Sequence, residues 1–421
     1  MEYKKYKLDN YNIYTIKTDK FKNCHIEVLF RKKVIKEDLT KDAMICEILM
    51  RSSKKYPTRS ELTIEFENLY NTSIYGVVSK VGSSLFTNYC LDFLHPKYTE
   101  KGMDEKAIEL LFEMILNPNI NNNAFEVDNF NIVKNNLKSD ILAAKENVYG
   151  YAIKNMLTIL DPTSPSSYSV NGYVEDLDDI TPENLYEYYK DYLKNSVCDV
   201  FVIGNLDMDH IVKIIKNSFK NSPKNTKNIE LFAKNKSTKK IKNITEKDNY
   251  TQGHLVLGYN IENLNKREMD IIFPVYNVIL GAGSLENKLA KYLREQNSLC
   301  YTTNSIYQKY DKLLIIYAGI DEVNYPLAVK LIKKCVDEMN KGIISDEELE
   351  AAKLLILSSL EMVKDNGRTL INNYIFKAVA DLPDIDDRIK EIKKVTKKDI
   401  ENVAGKVKLN TIYLLAPGGE E

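Results

Sequence analysis

Apolar positions alternate with polar ones near the start of the chain, and later segments change to the three-to-four spacing of helices. Alternation is typical of strands with one buried face, and a polar turn at residues 17–19 favours a hairpin there. Thr58 and Glu61 have the spacing of a helix capping box. In chain order, this part of the pattern predicts a hairpin of strands 11–16 and 24–30, a helix ending near Arg51, a helix after Thr58, and strands 74–81 and 85–93.

Helical spacing dominates the next part of the chain. Thr181 before Pro182 is typical of a helix start, because Thr caps the free N–H groups and Pro fits the first turn. The pattern predicts helices 104–116, 125–141 and 182–192, a buried strand 199–204 and a helix 210–219. Residues 220–245 are rich in Lys, Asn and Ser without periodicity, which is typical of a linker.

The second half repeats the element order of the first. The pattern predicts strand 254–259, helices 272–280 and 285–293, strands 302–307 and 312–320, helices 326–339, from 345 and from Thr396, and strand 410–415. We therefore expect an α+β protein of two homologous mixed α/β domains, residues 1–219 and 246–421, joined by a linker at 220–245.

Composition excludes several classes of function. The chain has 421 residues, with 59 Lys and Arg against 60 Asp and Glu, so it lacks the basic excess of nucleic-acid-binding proteins. No apolar run approaches the ~18 residues of a membrane helix, and the first residues lack the apolar core of a signal peptide, so we expect a cytoplasmic protein with no membrane partner. Six cysteines without a Cys-x-x-Cys pair favour buried reduced thiols.

Three stretches of sequence resemble the pitrilysin/insulinase family of zinc metallopeptidases, which includes insulin-degrading enzyme and both subunits of mitochondrial processing peptidase. The most specific is the glycine loop at 280–285, followed by Arg294-Glu295 and Tyr301. Segments 178–185 and 200–206 together, and segment 344–353, add to the resemblance, which covers nearly the whole chain. It implies two domains of the LuxS/metallopeptidase-like type in a clam-like arrangement.

The chemistry of that family depends on an inverted zinc motif, His-x-x-Glu-His, in which two His bind the metal and the Glu activates water. The resemblance places the motif on Ala43, Cys46 and Glu47, and none keeps the required residue. The distal carboxylate ligand falls at about Asp140, or its neighbour Ser139. The chain's four histidines are also too far apart in sequence for two to share a helical face. No bound metal is expected.

The resemblance implies that a substrate-binding feature is retained. Arg294 and Tyr301 match a pair that contacts substrate carbonyl oxygens in the family, and both side chains can donate hydrogen bonds to a carbonyl. The alternative is that neither residue binds substrate: the Arg forms a surface ion pair and the Tyr packs in the core. Gly281 and Gly283, before Ser284, are interpreted as a helix-entry loop or peptide contact, because no Lys-Ser/Thr follows as in a nucleotide-binding loop.

The resulting hypothesis is a non-catalytic subunit of a two-chain zinc metallopeptidase. A homologous partner subunit would supply the zinc, while this chain supplies a chamber wall and contacts to a peptide or unfolded polypeptide. The family divides labour this way in mitochondrial processing peptidase, whose alpha subunit this chain resembles, and in a bacterial pair associated with aminopentanol modification of elongation factor P. Two alternatives stay open: a purely structural or peptide-binding protein of the same fold, and a stand-alone peptidase with an atypical metal site.

Overall fold

The computed structural model describes residues 1–219, 225, 227–236, 240–283 and 286–418. Its strands are β1 Glu2–Lys7, β2 Tyr11–Lys17, β3 Asn23–Lys33, β4 Ser73–Val81, β5 Ser84–Leu94, β6 Ile120–Asn121, β7 Ala124–Phe125, β8 Val197–Gly204, β9 Lys242–Asp248, β10 Gly253–Ile261, β11 Cys300–Gln308, β12 Leu313–Ile320 and β13 Val407–Pro417.

Helices occupy most of the connections between these strands. They are α1 Leu39–Leu49, α2 Arg59–Asn68, α3 Met103–Leu116, α4 Val127–Ala143, α5 Val148–Leu160, α6 Val174–Leu177, α7 Pro182–Asn195, α8 Met208–Ser218, α9 Phe273–Leu280, α10 Tyr325–Asn340, α11 Asp346–Val363, α12 Gly367–Ala380, α13 Ile385–Lys393 and α14 Lys397–Ala404. Two segments, Glu268–Ile272 and Ala290–Glu295, are π-helical.

The chain forms two compact units, and neither is a contiguous stretch of sequence. The first unit comprises Met1–Ala143, Ser169–Leu231 and Val363–Ala378. The second comprises Ala144–Tyr168, Phe232–Met362 and Val379–Glu421. Helix α5 therefore belongs to the second unit and most of α12 to the first, so the two halves of the sequence exchange one helix each.

Each unit has one large sheet, and the two large sheets have the same topology; the first unit also holds the two-stranded sheet β6-β7. The first runs β1-β2-β8-β3-β5-β4 and the second β11-β12-β10-β13-β9. Beyond the extra β1, the orders match strand for strand when β9 corresponds to β2 and β13 to β8. Both sheets contain one parallel pair, β2 with β8 and β9 with β13, while the remaining pairs are antiparallel. The predicted α+β class and the repeat of one mixed unit are confirmed.

Two predictions about strands were wrong. Strands β2 and β3 do not form a hairpin, because β8 lies between them and pairs parallel with β2 and antiparallel with β3. The end of the predicted linker is not a linker, since β9 begins at Lys242 and forms the edge of the second sheet. The side chains of β9 are mostly polar and exposed, so the sequence shows no apolar periodicity that would predict a strand there.

Each sheet is covered by helices through apolar contacts. In the first unit, one sheet face packs on α1, α3, α7 and α8. In the second, α5 lies on β10 and β13 through Ala152, Met156 and Leu160. Gly258 of β10 permits this approach, because a Cβ there would lie 2.4 Å from the Met156 sulfur. An exchanged helix is thus part of the core that it joins.

The predicted helix starts at Thr58, Thr181 and Thr396 are confirmed. Each threonine side chain accepts a hydrogen bond from the backbone of the third helical residue, and that residue's side chain accepts one in return from the threonine N–H. Among the described residues, no helix combines the length and apolar character needed to cross a membrane.

Candidate functional site

Helix α1 of the first unit carries the three positions of the degenerate zinc motif. Ala43 and Glu47 are half-buried, and Cys46 lies between them, buried against strand β4. A Cβ at Gly76 would come within 2.6 Å of the Cys46 sulfur, so glycine lets the strand close over the thiol. Burial raises the pKa of Cys46 to about 12, with Glu47 and Asp42 adding to the shift. The thiol is therefore neutral near pH 7.

A cavity of about 470 Å³ opens beside these residues. It is lined by α1, the start of α2, strand β4 and α4, and both Glu47 and Asp140 contribute to its wall. The remaining lining is mixed, with apolar groups from α1, β4 and α4 and polar side chains from Arg51, Arg59, Tyr75 and Asn171. The structure thus brings the four predicted motif positions together around one open space. Ser139, the neighbouring candidate, is exposed and donates its hydroxyl to the Asn135 carbonyl.

The surroundings of Glu47 in this cavity shift its pKa. Burial raises its pKa, and Asp140 pushes in the same direction, while a hydrogen bond from Asn136 and the charge of Arg51 oppose the shift. The Asn136 side-chain nitrogen lies 3.0 Å from the Glu47 carboxylate. Asn136 precedes Asp140 by one helical turn of α4, so both side chains share the face that borders α1.

These residues do not fit the zinc ion that the sequence resemblance implies for a catalytic member. Ala43 offers no donor atom, the Cys46 thiol is neutral, and one Glu47 oxygen is occupied by Asn136. Within the part of the chain that the structure describes, no group of three or more His, Cys, Asp and Glu side chains could hold a metal.

The histidines have other roles in the fold. His25 hydrogen-bonds Asp92, and His254 hydrogen-bonds the Tyr317 hydroxyl at 2.6 Å. His95 contacts the Asn205 carbonyl at 2.8 Å, and His210 lies on the exposed side of α8. None lines the cavity beside α1.

The glycine loop lies in the second unit, after α9. A Cβ at Gly281 would fall 2.4 Å from Leu289, so this glycine allows the loop to pack on the following helical turn. Gly283 has a φ of +69°, a left-handed conformation that favours glycine. Both glycines thus have a conformational role in the loop. Ser284 lies outside the described residues.

Arg294 and Tyr301 flank a tight turn between the second π-helical segment and β11. The turn is fixed by backbone hydrogen bonds from Ser298 to the Arg294 carbonyl at 3.0 Å and from Leu299 to the Leu293 carbonyl at 2.7 Å. Ser298 adopts a φ of +52° to make it. The tyrosine of this pair is not a core residue, because 89% of its surface is exposed.

The Arg294 side chain is about one-third exposed, and its ion pair is the loose 3.5 Å contact with the adjacent Glu295. Tyr301 has no hydrogen-bond partner among the described residues. It falls in an irregularity of β11 between Cys300 and Thr303, where the pairing with β12 shifts. Both polar groups are therefore accessible to a ligand.

Sequence reasoning missed the polar groups that complete the cavity beside α1. Arg51, Arg59, Tyr75 and Asn171 come from four different parts of the chain, and only the fold brings them together. One signal was available for Asn136, since its spacing of four from Asp140 places both residues on one helical face.

Comparison with known proteins agrees with this geometry. Residues 179–356 match the model of the peptidase M16 inactive domain. The "probable inactive metalloprotease YmfF" of Bacillus subtilis is 27% identical over 407 residues, covering 95% of this chain and 94% of that protein.

Solved structures extend the agreement to the whole fold. A conserved protein from Enterococcus faecalis superimposes with a TM-score of 0.93 at 24% identity, covering 100% of this chain and 99% of that one. A peptidase M16 inactive domain from Pseudomonas fluorescens gives a TM-score of 0.82 at 15% identity, with both chains fully covered.

The matched domain and the fold point to one class: residues 179–356 match the inactive domain of the M16 peptidases, and the whole chain has the fold of a solved M16 inactive domain. The resemblance to the pitrilysin/insulinase metallopeptidases is thereby confirmed.

We expect the purified chain to contain no stoichiometric zinc, because the donor set around Ala43, Cys46 and Glu47 is deficient. Elemental analysis after dialysis against zinc-containing and then zinc-free buffer would check this. The triple variant Ala43→His, Cys46→Glu, Glu47→His restores the inverted motif and is expected to gain zinc if Asp140 serves as the distal ligand. One equivalent of tightly held zinc in the unmodified chain would contradict the prediction.

Proposed function

We propose that this chain is the non-catalytic subunit of a two-chain zinc metallopeptidase. A homologous partner subunit bearing the full zinc motif carries out hydrolysis, and this chain contributes a wall of the chamber and hydrogen bonds to the peptide. The observation that carries the proposal is a contrast within the chain. The positions of the zinc motif lack a usable donor set, whereas Arg294 and Tyr301 stay accessible on a firmly held turn.

The chemistry of the pair supports a contact with a peptide carbonyl. A guanidinium and a phenol both donate hydrogen bonds, and both can stabilise negative charge that develops on a carbonyl oxygen during hydrolysis. Because 89% of the Tyr301 surface is exposed, its apolar ring lies in water. A bound peptide would cover that ring. π-Helical segments such as Ala290–Glu295 also recur at functional sites.

The position of Tyr301 suggests how the peptide lies. Strand β11 is an edge of the second sheet, so one side of its backbone pairs with no strand in the part of the chain that the structure describes. An extended peptide can add to such an edge, where main-chain hydrogen bonds give affinity without demanding a particular sequence. Tyr301 at the start of β11 would then meet a carbonyl of the added strand. This mode suits a peptide or unfolded polypeptide substrate.

The test uses the complex with a zinc-motif homologue from the same genome and a fluorogenic peptide. Arg294→Ala and Tyr301→Phe are each expected to slow hydrolysis by on the order of a hundredfold, about 3 kcal/mol, as removal of an oriented donor does elsewhere. Assembly, measured by size-exclusion chromatography with light scattering, should be unchanged. The loss arises because the variants cannot orient or polarise the carbonyl.

Two variants serve as matched controls. Arg267→Ala removes an exposed arginine of the same unit whose partners are Glu391 and Asp399, and Tyr98→Phe removes an exposed tyrosine hydroxyl of the first unit. Both should retain full activity. If Arg294→Ala and Tyr301→Phe also support full partner activity, the chain is a scaffold and the structural alternative is correct.

A further inference from the structure

The face of the first sheet that α12 covers carries an unusual number of charged side chains. His25, Glu27 and Arg31 alternate along β3 and therefore point to the same face. Their cross-strand neighbours add Asp92 from β5, opposite His25, and Asp199 from β8, opposite Leu29. Glu27, Arg31, Asp92 and Asp199 are all at least nine-tenths buried. We call these five residues the charged face.

Helix α12 contacts this face at its first turn. A Cβ at Gly367 would lie 2.5 Å from the His25 ring, so the helix start touches the imidazole directly. The next residue, Arg368, pairs with Asp92, which also binds His25. Further along, Tyr374 stacks on Tyr3 and Phe376 on Phe86. The helix is thus held by an ionic contact at its start and by aromatic contacts beyond it.

Two of the charged residues pair with each other. The Arg31 guanidinium donates to Asp199 at 2.7 Å, and Asn12 donates to the other Asp199 oxygen at 2.8 Å. Asp92 likewise has partners on two sides. Glu27 is the exception, because no hydrogen bond to its carboxylate occurs among the described residues.

The groups around Glu27 do not neutralise it. From β5, it faces Asp92, a like charge, and the neutral thiol of Cys90 opposite. From α12, the cation Arg368 acts on it, and Arg368 is already paired with Asp92. From β4, Tyr75 lies under the Arg368 guanidinium. On its own strand, His25 binds Asp92 and Arg31 binds Asp199.

We propose that Glu27 makes the docking of α12 on the charged face pH-dependent, with the helix held firmly when Glu27 is protonated and loosened when it ionises. Deprotonation places a second negative charge beside Asp92 under the helix start. This pH-dependent docking needs neither a substrate nor a partner subunit, so it does not depend on the proposed function.

The direction of the effect follows from proton linkage. Burial raises the pKa of Glu27 from its ordinary 4.5 to about 7, and Asp92 adds to the shift while Arg368 opposes it. Between these values the docked state keeps a proton that the undocked state releases, so docking weakens as pH rises from about 4.5 to about 7. Asp92 acts oppositely. Burial alone would raise its pKa, but bonds from His25 and Arg368 lower it, so its pairing is lost only in stronger acid.

Hydrogen exchange on the full chain measures this docking. After correction for intrinsic rates, protection of residues 367–378 is expected to fall between pH 5 and pH 7 by up to about tenfold per pH unit. Because the chain contains no Trp, a single Tyr374→Trp substitution gives a second readout beside Tyr3. Its fluorescence should follow the same transition.

The decisive variant is Glu27→Gln, which keeps the shape and removes the charge. It should make protection at pH 7 equal to that at pH 5, whereas Glu67→Gln, on the exposed side of α2, should leave the transition unchanged. Arg368→Gln should shift the transition to higher pH, because Arg368 lowers the pKa of Glu27. An unaltered pH dependence in Glu27→Gln, or flat protection in the unmodified chain, would overturn the proposal.

Discussion

A fragment of residues 1–219 is expected not to fold into a stable, cooperatively unfolding domain. It lacks α12, so Glu27, Asp92 and the aromatic side chains near them would lose their cover. It also contains α5 without the sheet that buries it. Ala152, Met156 and Leu160 are fully buried in the second unit, and exposing one large apolar side chain costs about 1.5–3 kcal/mol. Few domains have enough net stability to absorb several such losses.

Circular dichroism, dye binding and urea unfolding of the fragment would check this prediction. We expect substantial helix content, strong binding of a hydrophobic dye and a broad unfolding transition. Adding residues 363–378 through a flexible linker should sharpen the transition, and co-expression with residues 220–421 should restore a native complex. A fragment 1–219 that unfolds in one sharp transition without dye binding would show that the helix exchange is dispensable.

The local pattern of the sequence predicted strands better than it predicted their partners. Residues of β2 and β3 alternate clearly, but alternation shows only that each strand has a buried face, not which strand lies beside it. Strand β8 inserts between them from far along the chain, and its apolar run is typical of a central strand. Pairing between strands so far apart in sequence cannot be predicted from the local hydrophobic pattern.

The degree of burial explains other differences. The sequence pattern predicts a linker up to residue 245, which includes the start of β9, because the side chains there are largely exposed; the order of β9 comes from backbone bonds to β13. The sequence could not predict the helix exchange either, because the apolar face of α5 would be needed whichever unit buried it. Periodicity reports that a face is buried and does not report against what.

For the candidate site, the sequence predicted which residues take part but not the contacts they make. The positions Ala43, Cys46, Glu47 and Asp140 were predicted by resemblance, and the structure places all four around one cavity. The close contact of Gly76 with Cys46 and the bond from Asn136 to Glu47 depend on how β4 and α4 pack against α1. Those details decide that the thiol stays neutral, and only tertiary packing could provide them.

Replacing Asp199 by Ala is expected to destabilise the first unit by about 3–5 kcal/mol, because it leaves the Arg31 charge buried without a counter-ion. The two side chains are 97% and 91% buried, respectively, and their charged atoms lie 2.7 Å apart. Among the described residues the Arg31 Nε has no hydrogen-bond partner, so the guanidinium depends on Asp199. Asn12 would lose its acceptor as well.

A double-mutant cycle separates the attraction between Arg31 and Asp199 from the cost of leaving one charge buried without a counter-ion. Asp199→Leu and Arg31→Met should each be strongly destabilising, whereas the double variant Arg31→Met, Asp199→Leu should lie close to the unmodified chain, because apolar side chains can replace a buried ion pair at little cost. Urea unfolding of the first unit, followed by the fluorescence of Tyr374→Trp in every variant, gives the four free energies. If Asp199→Ala costs less than 1 kcal/mol, water reaches Arg31 and the pair is not buried in solution.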